Sequence, residues 1–78
     1  MDELRPELAE KAIATGLAAY PEFAEFGPRL ELVKLFRGQA LQVKFAREDR
    51  PGGERAWAFQ NAVIGEYKRL TGEAVPLH

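Results

Sequence analysis

Between Pro6 and Tyr20 apolar residues return every three or four positions. Leu8, Ala9, Ala12, Ile13, Gly16, Leu17 and Tyr20 fall on one side of a helical wheel, with Glu7, Glu10, Lys11, Ala14 and Ala18 opposite. This spacing predicts an amphipathic helix over 6–20. Proline suits its first turn, where the missing N–H has no intrahelical partner to lose, and Glu7 and Glu10 lie near the positive end of the helix dipole. The small residues of the apolar stripe allow a neighbouring element to come close. Pro21 ends the helix because its ring clashes with the preceding turn. Residues 21–28 read as a connector of about one helical turn, with Phe23 and Phe26 spaced as a pair of apolar anchors.

The period then changes from helical to alternating. Leu30 to Arg37 and Ala40 to Arg47 flank Gly38-Gln39 with a near-alternating pattern that leaves one apolar face and one mostly polar face, which predicts a β-hairpin over 29–47. Glycine at the first central position suits a type II′ turn at Gly38-Gln39. That turn sets Phe36 opposite Leu41, Lys34 opposite Val43, Leu32 opposite Phe45 and Leu30 opposite Arg47. One face then carries Leu30, Leu32, Phe36, Leu41, Val43 and Phe45. Lys34 also points to that side, at its margin, and the other face is mostly polar around Val33 and Leu35.

After a charged Pro-Gly-Gly loop over 48–53, helical periodicity returns from Glu54 to Thr71. Ala56, Trp57, Phe59, Val63, Ile64, Tyr67 and Leu70 occupy an arc of about 160°. Gly72 and the preceding Lys68 and Arg69 mark the C-terminal end, and 73–78 form a short tail. Arg55, Trp57 and Phe59 also alternate as a third strand would, a competing reading of the start of this segment. The fold class is α+β, with helix, strand, strand and helix in one domain over 1–78. Both helices are predicted to cover one face of the hairpin.

Composition narrows the function. The 78 residues include no cysteine, and the only histidine is His78, so neither a disulfide framework nor a zinc site is expected. Serine is absent, and the two threonines, Thr15 and Thr71, have no histidine near them in sequence. We therefore expect no nucleophilic catalysis, no enzyme activity and no cofactor. The carboxylate pairs Glu7/Glu10, Glu22/Glu25 and Glu48/Asp49 read as caps and solvated charge. A thermally robust composition is suggested by many charges and few thermolabile side chains. An acidic start, with no positively charged leader and no long apolar run, predicts a cytoplasmic protein with no membrane association.

Charge is divided along the chain. Residues 1–28 carry six acids and two bases, whereas 29–55 carry seven bases and four acids. Arg37, Lys44, Arg47, Arg50 and Arg55, with the amides of Gly52 and Gly53 entering a helix, form a candidate anion or nucleic-acid site, with RNA or the ribosome as partner. Trp57 near that loop is a candidate stacking platform, although a core-boundary tryptophan explains it more simply. A two-stranded hairpin leaves both edges unpaired, and a domain this small buries little core. A second copy meets both needs. The leading expectation is a non-enzymatic interaction module that forms a homodimer, with Val33 and Leu35 at its interface.

Overall fold

The computed structural model describes residues 4–46 and 52–72. Helix α1 runs Pro6–Ala19, a 3₁₀ segment follows at Pro21–Phe26, strands β1 (Pro28–Leu35) and β2 (Gly38–Phe45) form an antiparallel pair, and helix α2 runs Gly53–Thr71. The α+β order read from the pattern is the observed one, and Arg55 to Phe59 belong to α2. Arg47, Arg50, most of the predicted Pro-Gly-Gly loop and the tail with His78 lie outside the described residues.

Local chemistry accounts for the helix ends. Pro6 occupies the first turn of α1, and the Arg5 carbonyl accepts the N–H of Leu8 (3.1 Å) and of Ala9 (2.9 Å). The Arg5 side chain provides no cap. Its backbone N–H instead donates to the hydroxyl of the fully buried Tyr67 at 2.9 Å, tying the start of α1 to the last turns of α2. At the other end of α1 the chain turns at Tyr20 and Pro21. At the end of α2, Thr71 Oγ1 donates to the carbonyl of Tyr67 (3.0 Å).

The core forms where the two helices cross above the base of the hairpin. Ala9, Ala12 and Gly16 of α1 meet Ala56, Phe59, Val63 and Tyr67 of α2, while Leu30 and Val43 close the core from the sheet. Gly16 permits the close approach. A methyl group there would lie 2.5 Å from Val63 Cγ2 and 3.0 Å from the Phe59 ring. Around Phe59 the rings of Phe23 (4.9 Å between centroids, stacked), Phe45 (6.2 Å) and Tyr20 (6.5 Å, edge-on) gather, with Phe26 edge-on to Phe45 at 6.1 Å. The anchors Phe23 and Phe26 thus join the connector to the core.

The hairpin register differs from the expectation. Pro28 pairs with Phe45, Leu30 with Val43, Leu32 with Leu41, Lys34 with Gln39 and Leu35 with Gly38, so the turn is Phe36-Arg37 and not Gly38-Gln39. Leu32 therefore faces Leu41 rather than Phe45, a slide of four residues along β2. An even slide leaves each side chain on its own face, so Leu30, Leu32, Leu41, Val43 and Phe45 still face the helices. Phe36 does not join them, because it has become a turn residue. Neither Phe36 nor Arg37 has a positive φ, which excludes the type II′ geometry; the positive φ falls on Gly38 (149°), where the chain enters β2. The slide has a tertiary cause. It brings Phe45 to the base of β1 beside Phe26 and Phe59, where the next residue, Ala46, donates its N–H to the carbonyls of Phe26 (2.9 Å) and Gly27 (3.1 Å).

Candidate functional site

Burial along the inner hairpin face falls steadily towards the turn. Leu30 and Val43 are 4% and 2% exposed, the next pair, Leu32 and Leu41, is half-buried, and Lys34 and Gln39 are exposed. The helices cover the base of the hairpin and stop short of its end. This places Lys34 in water, which resolves the apparent conflict of a lysine on the apolar side. Beyond it the tip carries Leu35 at 53% and Phe36 at 99% exposure, with Lys34 and Arg37 on either side. Among the described residues no helix covers the outer face, where Arg29 lies opposite Lys44, Glu31 opposite Gln42, Val33 opposite Ala40 and Leu35 opposite Gly38. Val33 is half-buried beside Leu35.

Two adjacent large apolar side chains in water at a protruding turn are unusual for a protein surface. The exposure of Phe36 follows from the slide, because a turn at Gly38-Gln39 would have placed it on the strand, whereas Leu35 lies on the outer face in either register. Pattern alone therefore overlooked the most exposed aromatic residue of the described chain.

Trp57 is the second exposed ring, at 66%. The wheel assigned it to the apolar arc of α2, but only the stripe of Ala56, Phe59, Val63 and Tyr67 meets the rest of the protein closely enough to be buried. Two strands about 4.8 Å apart form too narrow a floor for two helices each about 10 Å wide. Trp57 therefore stands on the wall of a groove of about 350 Å³ beside β2, with Leu41, Gln42, Gln60, Asn61 and Ile64. A matching groove lies between α1 and β1.

Of the predicted anion-site residues, Arg47 and Arg50 lie outside the described residues, and Arg37 is far from Lys44. Arg37 is in the turn, and Lys44 is near the opposite end of β2, seven residues away or about 23 Å in an extended strand. Gly52 and Gly53 are exposed at the start of α2. Arg55 is committed elsewhere. Its guanidinium donates to both carboxylate oxygens of Glu22, one at 3.0 Å, and lies 5.0 Å above the ring of Tyr20. The pair fastens the connector to α2 across a large sequence separation. Arg29, which the sequence reading did not single out, lies opposite Lys44, and both are exposed. Only the corrected register brings these two cations together.

The hydrogen bonds from Arg55 hold the Glu22 carboxyl below its ordinary value of 4.5. Because the folded pKa is the lower one, the stabilisation from this pair is present above the unfolded value and is lost as pH falls through the folded value. In Arg55→Ala the Glu22 carboxyl should titrate back near its ordinary value, and the acid limb of unfolding should lose this contribution. Side-chain carboxyl NMR across the acid range reads both. Identical Glu22 titration in the two proteins would show that the pair is not formed in solution.

Among the described residues no helix is long and apolar enough to cross a membrane, and no group of three or more His, Cys, Asp or Glu side chains is placed to hold a metal ion. No protein-family model, no curated protein and no solved structure matches the chain.

Proposed function

We propose that the protein is a small non-enzymatic, cytoplasmic interaction module that self-associates through its hairpin. The observation that carries this reading is the exposure of Leu35 and Phe36 at the end of a two-stranded sheet whose outer face no described helix covers. Burying such side chains in a partner contributes roughly 1.5–3 kcal/mol each, and a chain of this length gains stability from any contact made only in the folded state. Leu35 and Phe36 are the anchors, with Val33 at their margin.

Light scattering at micromolar concentration should give twice the monomer mass. Leu35→Lys, a change at an exposed position, should raise the dissociation constant by roughly tenfold or more, from the lost apolar burial and the added charge. A wild-type chain that stays monomeric at every accessible concentration would remove this reading.

RNA binding is a second reading, favoured by one observation. Arg29 and Lys44 sit side by side on the open outer face, at the end of the hairpin away from the turn. In this reading their cations contact phosphates, and the Gly52 and Gly53 amides, Arg47 and Arg50 are further candidates. Fluorescence anisotropy with labelled RNA at low and moderate salt tests it. Arg29→Ala/Lys44→Ala should weaken binding and reduce the salt slope by about 2, whereas equal and negligible binding by both proteins would eliminate it.

A further inference from the structure

The groove between α1 and β1 has a volume of about 360 Å³ and is lined by Leu4, Pro6, Ala9, Ile13, Pro28 and Leu30, with one carboxylate, Glu10. Arg29 also lines it and forms an exposed ion pair with Glu31 at 3.4 Å, so the carboxylates of Glu10 and Glu31 outnumber the one guanidinium there. Glu10 makes no ion pair among the described residues, and neither do Lys34 and Arg37 at the hairpin tip. We propose that this groove receives the hairpin tip of a second copy of the chain. This inference rests on the self-association reading and names the surface that the tip meets.

The two surfaces are complementary in shape and in charge. The tip presents two large apolar side chains bracketed by two cations, and the groove presents an apolar floor with the exposed carboxylate of Glu10. The volume is sufficient for the ring of Phe36. Charge complementarity of this kind sets orientation as well as rate of association. It also matches the division of charge along the chain, since residues 1–28 are net acidic and 29–55 net basic.

The geometry closes at two copies. The groove lies at the first residues of β1 and the tip at its last, about 23 Å apart for an extended strand. A two-fold axis normal to the sheet, near the middle of β1, sets the two β1 strands antiparallel and carries each tip to the other copy's groove. Because the helix layer is wider than two strands, α1 overhangs the free edge of β1 and keeps the two edges from direct backbone pairing. Phe36, the turn residue, enters beneath that overhang, while Leu35, on the outer face, packs outside the groove. The dimer is therefore an exchange of tips, not a continuous four-stranded sheet.

Charge reversal on the full chain tests the pairing, with sedimentation velocity and equilibrium as the readout. Glu10 and Arg37 are both exposed, so neither change should disturb the fold, and far-ultraviolet circular dichroism verifies this. Glu10→Arg alone and Arg37→Glu alone each place like charges at both symmetry-related contacts, and each should raise the dissociation constant roughly tenfold. An equimolar mixture of the two variants should recover wild-type affinity as a heterodimer, because each mixed contact again joins opposite charges. If the wild type dimerises and neither variant is affected, or both are weakened and the mixture shows no recovery, the groove is not the receptor, and self-association through the hairpin stands without it. A wild type that is monomeric throughout overturns both.

Discussion

Phe59→Ala is expected to lower the unfolding free energy by about 3–5 kcal/mol, the range for removing a buried aromatic ring. Phe59 is fully buried, stacks on Phe23 and contacts the rings of Tyr20 and Phe45. It is the side chain through which α2, the connector and β2 all meet. A domain of this size has a total stability of roughly 4–12 kcal/mol, so the loss removes about a quarter of it or more. Urea denaturation followed by far-ultraviolet circular dichroism, at one fixed protein concentration, measures it. Phe59→Leu, which keeps most of the volume, should cost markedly less. Equal losses for the two variants would mean that the ring cluster contributes through aromatic geometry and not through filled space.

The second large effect is expected at Gly16. Gly16→Val should destabilise by about 3 kcal/mol or more, because the added atoms collide with Val63 and Phe59 where the helices are closest. Val63 is fully buried and stiff about χ1, so it has no open rotamer to retreat into. The helices must then separate, which loosens the packing of Ala12 and Ala56 as well. Gly16→Ala sets two terms in opposition: alanine favours the helix by about 1 kcal/mol, while its methyl group meets the same obstruction. The clash should win, giving a net loss. A stabilised Gly16→Ala protein would show that the helices cross with more clearance than 2.5 Å to the Val63 methyl group implies.

The candidate site was less legible in the sequence than the fold, and the reasons differ by residue. Phe36 was assigned to the strand because an alternating pattern constrains which face a residue takes and says nothing about sliding by an even number. Arg55 read as a free cation because its partner, Glu22, lies on the far side of the hairpin in sequence and beside it only in space. Trp57 fell inside the apolar arc of α2, yet a wheel describes one helix and carries no information about how much of that arc a neighbour covers.

Features governed by short-range chemistry were determined by the sequence itself. Pro6 and Pro21 delimit α1, Gly72 ends α2, and the change from a period of 3.6 to a period of 2 separates helix from strand, because steric limits and side-chain direction act within a few residues. The alternation also decides which hairpin face is apolar. Tertiary structure alone decided the register, since the two alternatives bury nearly the same side chains. They differ in whether Phe45 reaches the ring cluster around Phe59 and whether Ala46 can donate to the connector carbonyls. Those contacts join residues far apart in the chain, and they leave Leu35 and Phe36 beyond the reach of the helices.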